Sequence, residues 1–343
     1  MTGKRLGFFT RVLDNAHPAE RYRMARDQII HAERMGLQAA WVAQHHFDGT
    51  EGGLPAPLVF LAHIAAQTTG IRLGTGIITL PLENPVRVAE DTAVLDALCG
   101  ERLEVGVGTG GTPSSYPAFG LDNDRRAALY DTSLSVLRAA WRGDPLGGSP
   151  NRLYPPAPRL DGRVWQATFS VAGGRRAGLA GDGLLLSKTQ PRPADAPHAT
   201  LSDIQNPIID AYLRALPPGV APRILGSRGI TVMDRAEDAR RHAQAGLHRH
   251  LRRLREVGRP VPEGSLDALM TELDVYCGTP EQVIALLRDD TALQRVTDIS
   301  MQVHPVDPPH ELILRGITLF ATVIAPALGW TDNTASRVRK TGT

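Results

Sequence analysis

The feature that most constrains the fold of this chain is a regular alternation of short apolar runs with longer stretches that have apolar residues at helical spacing. Residues 6–10 form a strand-like run, residues 21–35 have the spacing of an amphipathic helix, Gly36 ends that helix, and residues 39–43 form the next strand-like run. Such an alternation predicts parallel strands that are joined by crossover helices.

Eight strand-like runs can be counted, which is enough to close a (β/α)8 TIM barrel. A doubly wound open sheet is the structural alternative, because periodicity does not distinguish closed from open parallel sheets, but eight regular repeats favour the barrel. Polar or proline-rich stretches predict insertions after strands 4, 6 and 7. The predicted strands are residues 6–10, 39–43, 72–75, 103–107, 164–168, 183–187, 224–232 and 298–303.

A barrel with insertions accommodates the length of 343 residues as one domain. We expect residues 1–330 to form this domain and residues 331–343 to form a polar, loosely held tail. A loop through Cys277 is expected before the last two helices. The predicted helices are residues 21–35, 57–68, 86–98, 125–141, 174–180, 201–216, 237–257, 280–287 and 311–324.

Charge and cysteine content argue against several classes of function. Lys and Arg total 38 against 36 Asp and Glu, so no overall field attracts nucleic acid, and the basic run 248–255 is interpreted as the solvated face of a helix. Cys99 and Cys277 are far apart, which predicts neither a disulfide framework nor a cysteine zinc site. No signal region and no run of about 18 apolar residues is evident, so we expect a cytoplasmic protein that does not contact membranes.

Two histidines follow the second predicted strand, at the end of a barrel where chemistry is usually found. His45 and His46 have unperturbed pKa values near neutrality, so one of them could act as a general acid or base, although one could equally be a packing residue. Because adjacent strand residues point to opposite faces, the two imidazoles are not expected to share a metal ion, and no metal site is predicted.

A possible phosphate site follows the fifth predicted strand. Ser170 to Gly174 opens a helix whose free N–H groups and positive dipole end could hold a phosphate, although Ser170 could also be a plain helix cap. The glycines of residues 106–111 superficially resemble a dinucleotide-binding loop, but Thr112 and Pro113 follow instead of a helix. No NAD(P)H site is therefore predicted.

Three stretches together, residues 40–47, 72–96 and 102–110, resemble the bacterial luciferase-like family of flavin-dependent monooxygenases. The second stretch is closest to the family, with Arg72-Leu73-Gly74-Thr75-Gly76, Leu80-Pro81 and Asn84-Pro85-Val86-Arg87. Residues 180–183 and 278–281 are also similar to this family. The resemblance spans most of the chain and is weakest over residues 143–160 and 188–264, where substrate contacts are expected.

The resemblance implies a monooxygenase that takes FMN in its reduced form, FMNH2, from a separate flavin reductase and uses O2 to oxygenate a small organic substrate. It also implies a homodimer that pairs through helices 57–68 and 86–98. An oxidoreductase of the same barrel family that uses the deazaflavin F420 is one alternative, and a flavin-binding protein without turnover is another.

The resemblance also assigns roles to individual residues. His45 occupies the position of the active-site histidine, near the reactive edge of the flavin. Thr75, Gly76 and Ile77 are expected to run along the flavin ring, with a non-prolyl cis peptide at Gly76–Ile77. The phosphate-binding turn corresponds to Ser170, Val171 and Gly173.

Three positions of the expected cofactor site depart from the family pattern. Gln44 stands where Glu is common, Asn84 where His is common, and Thr109 where Arg is common. Loss of that arginine removes a bidentate phosphate partner and predicts weaker retention of oxidised FMN, unless Arg175 or Arg176 faces the ligand instead.

Overall fold

The computed structural model describes residues 3–331 and shows a closed barrel of eight parallel strands. The strands are β1 (Arg5–Thr10), β2 (Ala39–Val42), β3 (Arg72–Thr75), β4 (Ile78–Thr79), β5 (Leu103–Gly108), β6 (Val164–Ala167), β7 (Gly183–Leu186), β8 (Ile224–Val232), β9 (Val275–Gly278) and β10 (Asp298–Gln302). The order around the barrel is β10-β1-β2-β3-β5-β6-β7-β8, and pairing of β8 with β10 closes the ring. All eight predicted strands are confirmed.

Two short strands were not predicted. β4 pairs with the end of β5, and β9 pairs with the last four residues of β8, from Gly229 with Val275 to Val232 with Gly278. The prediction of a loop through Cys277 is therefore wrong. This strand is only partly buried and lies outside the repeat of barrel strands and helices, and it forms because β8 extends beyond its barrel neighbours.

The helices cover the outside of the barrel, and several begin with a proline, whose fixed φ suits the first helical position. The helices are α1 (Pro18–Arg34), α2 (Pro57–Ala65), α3 (Pro85–Leu98), α4 (Arg126–Arg142), α5 (Val171–Leu179), α6 (Leu201–Ala215), α7 (Ala236–Glu256), α8 (Leu266–Glu272), α9 (Pro280–Arg288), α10 (Thr291–Arg295), α11 (His310–Leu319) and α12 (Ala325–Ala327). α8 and α10 were not predicted and lie in the insertion after the seventh barrel strand.

A π-helical turn, Phe320–Ile324, joins α11 to α12. Contrary to expectation, the stretch His310–Ala327 is long and apolar enough to cross a membrane, judged by length and composition alone. Its residues Ile313, Ile317 and Phe320 are buried, and α11 packs against α1 and β8. Packing against the barrel thus accounts for part of this apolar run, of which 39% is buried. Of the predicted tail, residues 332–343 lie outside the described residues.

The interior of the barrel is closed at the amino ends of its strands by charge and by aromatic rings. Glu104 accepts hydrogen bonds from Arg72 Nε at 2.5 Å and from Trp165 Nε1 at 2.8 Å, and Arg5 pairs with both Glu104 and Asp298. Above this layer the indoles of Trp41 and Trp165 meet edge to face, 5.6 Å apart. Space for a ligand is consequently left at the carboxyl ends of the strands.

Candidate active site

Gln44 connects the loops that follow β2 and β3. Its Oε1 accepts from the backbone N–H of Thr79 at 2.7 Å, and its Nε2 donates to the Pro55 carbonyl at 3.1 Å and to Glu83 Oε1 at 2.7 Å. Burial raises the pKa of Glu83, and the hydrogen bond from Gln44 partly offsets this rise. Gln44 therefore stabilises the rim of the site through contacts within the protein.

A cavity of about 100 Å³ lies between the loops that follow β2, β3 and β5. Both His45 and His46 line this cavity, although the strand pattern predicts that their side chains point to opposite faces. Strand alternation does not apply to them, since β2 ends at Val42 and the chain turns sharply at Phe47, whose φ is 65°. The lining residues are Gln44, His45, His46, Gly76, Ile77, Thr79, Leu82, Gly110, Gly111, Thr112 and Ser115.

His45 is a neutral imidazole in this environment. Burial, the guanidinium of Arg11 and the neighbouring imidazoles of His304 and His46 lower the pKa of His45 to about 3. The expectation that His45 exchanges a proton near neutral pH through its unperturbed pKa is therefore corrected. A neutral ring can still donate one hydrogen bond and accept another.

His46 combines packing with exposure to the cavity. Its ring meets Phe119 edge to face at 4.9 Å and Phe47 at 5.8 Å. Burial lowers the pKa of His46, and its Nε2 is buried without a hydrogen-bond partner among the described residues. A buried polar atom of this kind is normally satisfied by a ligand or water, which fits its place in the cavity wall.

The peptide bond between Gly76 and Ile77 is cis, as the resemblance predicted. The hydroxyl of the preceding Thr75 donates to the Gly106 carbonyl at 2.8 Å and accepts from the Gly106 N–H at 2.9 Å. The Thr75 side chain thus joins β3 to β5, and the residues that reach the cavity are Gly76 and Ile77.

The amino end of α5 presents a group of hydrogen-bond donors. Ser170 is the helix cap, because its Oγ accepts from the Gly173 N–H at 3.1 Å, and its own N–H donates to Thr168 Oγ1 at 3.1 Å. The N–H groups of Val171 and Ala172 belong to the first helical turn, where no helical acceptor exists. Thr168 was missed from the sequence, although a hydroxyl two residues before a cap at a strand end is a recognisable signal.

Gly108 connects this turn to the histidine cavity. A Cβ atom on Gly108 would lie 3.2 Å from Ile77 Cδ1 and 3.4 Å from the Ala167 Cβ, so the three residues form a continuous floor along the rim. The floor is apolar and uncharged, as a flavin ring requires, and the donors of α5 at its far end suit a phosphate. The residues present therefore fit a flavin-type cofactor that carries a phosphate.

Two predicted cofactor residues are engaged elsewhere. Asn84 is exposed and caps α3, with its Oδ1 accepting from the N–H groups of Val86 at 3.0 Å and Arg87 at 3.3 Å. Thr109 accepts a hydrogen bond from the Tyr116 hydroxyl through its carbonyl oxygen at 2.6 Å. Neither lines the cavity.

The two arginines of α5 differ in their surroundings. Arg176 Nε donates to Gln166 Oε1 at 3.0 Å, and its guanidinium lies over the Tyr130 ring at 4.8 Å. Arg176 is thus held away from the start of the helix. It does not replace the arginine that is common in the family at the position of Thr109. Arg175 is exposed.

A second group of ionisable residues, which the sequence analysis missed, lies near His45. His304 follows β10, its Nδ1 is 2.8 Å from Asp307 Oδ2, and its ring packs edge to face with His250 at 5.2 Å. Lys188 Nζ donates to the His304 carbonyl at 3.1 Å, and burial lowers the pKa of Lys188 to about 8. The position of His304 directly after the last strand could have revealed it.

The family model of luciferase-like monooxygenases matches residues 6–296. A curated relative, 4-hydroxyprotoasukamycin monooxygenase from Streptomyces nodosus subsp. asukaensis, is 37% identical over 112 residues, which are 33% of this chain and 30% of that protein. The chain spans about a third of the length of the first curated relatives that it matches.

Two solved structures share the fold of this chain. The oxygenating constituent of 3,6-diketocamphane monooxygenase from the CAM plasmid of Pseudomonas putida, in complex with FMN, has a TM-score of 0.72 at 16% identity, covering 95% of this chain and 98% of that one. An F420-dependent secondary alcohol dehydrogenase in complex with an F420-acetone adduct has a TM-score of 0.65 at 18% identity, covering 96% of this chain and 99% of that one. With a family model that matches most of its length, the chain belongs to the luciferase-like monooxygenase family.

Proposed function

We propose that this protein is an FMN-dependent monooxygenase that uses reduced FMN and O2 to oxygenate a small organic substrate. The observation that carries the proposal is the floor of Ile77, Gly108 and Ala167, because it connects the histidine cavity to the hydroxyl and amide donors of α5. The fold neighbour from Pseudomonas putida, which is in complex with FMN, supports this choice of cofactor.

The residues that hold FMN in this proposal act through shape and hydrogen bonds. Gly76, Ile77 and Gly108 would face the ring, while the Ser170 and Thr168 hydroxyls and the first N–H groups of α5 would bind the phosphate with help from the helix dipole. Bound reduced FMN supplies the electrons with which O2 is activated for transfer of one oxygen atom to the substrate.

His45 and the rim loops support the reaction in different ways. As a neutral ring, His45 can donate a hydrogen bond to a reacting oxygen and accept a second hydrogen bond at its other nitrogen. The loops after β2 and β3, which Gln44 holds together, and the loop after β5 surround the cavity and limit the access of water to it. We further propose that a separate flavin reductase supplies the reduced cofactor, since one fold neighbour is itself an oxygenating constituent.

The test is an anaerobic titration of the protein with FMN, FMNH2 and F420, followed by addition of 18O2 to each complex in the presence of candidate substrates. We expect tight binding of FMNH2 and one labelled oxygen atom in the product. Product formation with F420 and without O2 would favour the deazaflavin alternative, to which the alcohol dehydrogenase neighbour belongs. Flavin binding without any product from a broad substrate panel would indicate a flavin-binding protein without turnover.

Replacement of Ser170 with alanine should weaken FMN binding about ten- to a hundredfold, because one hydrogen bond to a charged group is lost. Fluorescence titration measures the change. Ser265→Ala is the matched control, since Ser265 caps α8 through the Ala268 N–H in the same way but lies outside the proposed site. Equal affinities of the two variants would show that Ser170 is only a helix cap.

We also propose a homodimer that pairs through α2 and α3. Val59 of α2 is 74% exposed, and Leu98 and Val94 of α3 are 68% and 46% exposed, so this face presents apolar side chains to solvent. The double variant Val59→Glu with Leu98→Glu should be a monomer by light scattering at micromolar concentration. Leu286→Glu on α9 should remain dimeric, and a monomeric parent protein would contradict the proposal.

A further inference from the structure

Residues 48–54, which follow the two histidines, form a loop that is anchored to several elements. The Gly53 N–H donates to the Arg11 carbonyl at 3.0 Å, and the Tyr22 hydroxyl donates to the Gly53 carbonyl at 2.9 Å. At its other end, Asp48 pairs with Arg253 of α7. The loop is thus fixed from β1, α1 and α7, although it has no secondary structure of its own.

Arg11 makes the central contact to this loop. Its Nε and Nη2 donate to the Glu51 carbonyl at 2.9 and 2.6 Å, so one guanidinium binds a single backbone oxygen through two hydrogen bonds. Arg11 follows the end of β1 directly, and the barrel therefore determines where the loop lies relative to the strand ends.

Gly52, the residue after this contact, lies against the imidazole of His45. A Cβ atom on Gly52 would be 2.3 Å from His45 Cδ2 and 2.6 Å from His45 Cγ, closer than any side chain tolerates. The φ angle of Gly52 is not in the left-handed region, so glycine is required there for contact with the ring and not for backbone conformation. The His45 N–H also donates to the Leu54 carbonyl at 3.0 Å, which fixes the backbone beneath the ring.

We infer that Arg11 and Gly52 are positioning residues for His45. Arg11 fixes the Glu51 carbonyl by two hydrogen bonds, and the Gly52 backbone, which follows it, packs against the imidazole and keeps the ring at the cavity. The inference rests on the proposed function, in which His45 faces the reacting groups. Arg11 has a second effect: burial and, after it, the positive charge of Arg11 lower the pKa of His45. The other ionisable groups that face His45 are His304, after β10, and His46 in its own loop.

The first experiment compares two glycines of one loop. Gly52→Ala should displace the imidazole and lower kcat about ten- to a hundredfold, because small misplacements of a reacting group have effects of that size. Gly49→Ala is the control: a Cβ on Gly49 would meet only Arg21 Nη1, at the ordinary distance of 3.7 Å. We expect its kcat to stay within twofold of the parent protein.

The second experiment measures the ring resonances and the pKa of His45 by 15N NMR across a range of pH, without substrate or flavin. Arg11→Gln should raise the pKa of His45 and shift its ring resonances, whereas Arg11→Lys, which retains the charge, should shift the resonances with a smaller change in pKa. Arg21→Gln is the matched control, since Arg21 Nη1 donates to the Gly49 carbonyl of the same loop at 2.6 Å and does not contact His45.

The two experiments separate this inference from the proposed function. Unchanged His45 resonances and pKa in both Gly52→Ala and Arg11→Gln would overturn the positioning role, whatever the enzyme catalyses. Altered resonances in these variants, in a protein that never oxygenates a substrate, would leave the positioning role standing and reject the proposed function. Circular dichroism and melting of each variant confirm that the barrel is intact.

Discussion

His45→Ala should lower the rate of single-turnover oxygenation about 10²- to 10³-fold, the usual effect of removing a hydrogen-bond donor to a reacting oxygen, with FMN affinity changed only a few fold. His45 lines the cavity next to Gly76 and Ile77. It contributes no contact at the α5 turn, where the phosphate is expected. Loss of the ring should therefore affect the reaction much more than the binding of the cofactor.

The measurement mixes the anaerobically reduced FMN complex with oxygenated buffer and quantifies flavin oxidation and product. His63→Ala, on the exposed surface of α2, is the control for handling of the protein. Normal product yield in His45→Ala would remove His45 from the mechanism and leave its assignment resting on family resemblance alone.

The pH dependence follows from the lowered pKa of His45, about 3 in the folded protein against an ordinary 6.5. The ring stays neutral in the folded protein from pH 9 down to about 4, so His45 should produce no step in the oxygenation rate near pH 6.5. In the unfolded chain the ring takes up a proton below pH 6.5. The free energy of unfolding should accordingly decrease as the pH falls from 6.5 toward 3, and His45→Gln should reduce this dependence.

Arg228→Met should destabilise the barrel by about 3–5 kcal/mol, because it leaves the Asp290 carboxylate buried without its cation. Arg228 on β8 is fully buried; its Nε and Nη2 donate to the two oxygens of Asp290 at 2.6 and 3.2 Å. Asp290 also accepts from the Tyr276 hydroxyl at 2.7 Å and from the Leu293 N–H, where it caps α10. One ion pair thus connects β8, β9 and the insertion.

Urea denaturation followed by circular dichroism measures the loss. The control is Arg315→Met, since Arg315 pairs with Asp234 through Nε at 2.9 Å and Nη2 at 2.6 Å on the exposed surface, where less than about 1 kcal/mol is expected. Equal losses in the two variants would contradict this account.

The same ion pair predicts the pH range in which this region loses stability on acidification. Burial alone would raise the pKa of Asp290, but the charge and hydrogen bonds of Arg228 outweigh it and lower the pKa to about 2. The stabilisation is therefore complete above the ordinary pKa of 3.8 and lost as the pH falls through 2. Loss of this pair on acidification should start well below pH 4.

The fold was predictable because its signal is repeated and local. Each barrel strand is a short apolar run followed by a helix of matching periodicity, and eight such repeats lead to one closed arrangement. β4 and β9 were missed because neither belongs to the repeat: each is an extra strand that pairs with the end of a barrel strand. The apolar composition of His310–Ala327 shows the limit of local signals, because only the structure reveals that part of this stretch, including Ile313 and Ile317, packs against the barrel.

Part of the site was also predictable from position along the chain. His45, Gly76, Ile77 and Ser170 follow strand ends, and the carboxyl ends of parallel strands meet at one side of a barrel. The resemblance added the cis peptide at Gly76–Ile77, which the structure confirms. These residues could be predicted because each of them is close to a strand end in the sequence.

The sequence by itself thus determined the barrel, its eight strands and the rim on which the site lies, because these depend on periodicity and on order along the chain. Only the tertiary structure decided that His45 is neutral, that His46 shares its cavity, that Asn84 is a helix cap, and that Arg11 and Gly52 hold the imidazole. The physical reason is that pKa values, side-chain direction and close contacts depend on distances between residues from different strands and loops. Those distances exist only once the barrel has closed.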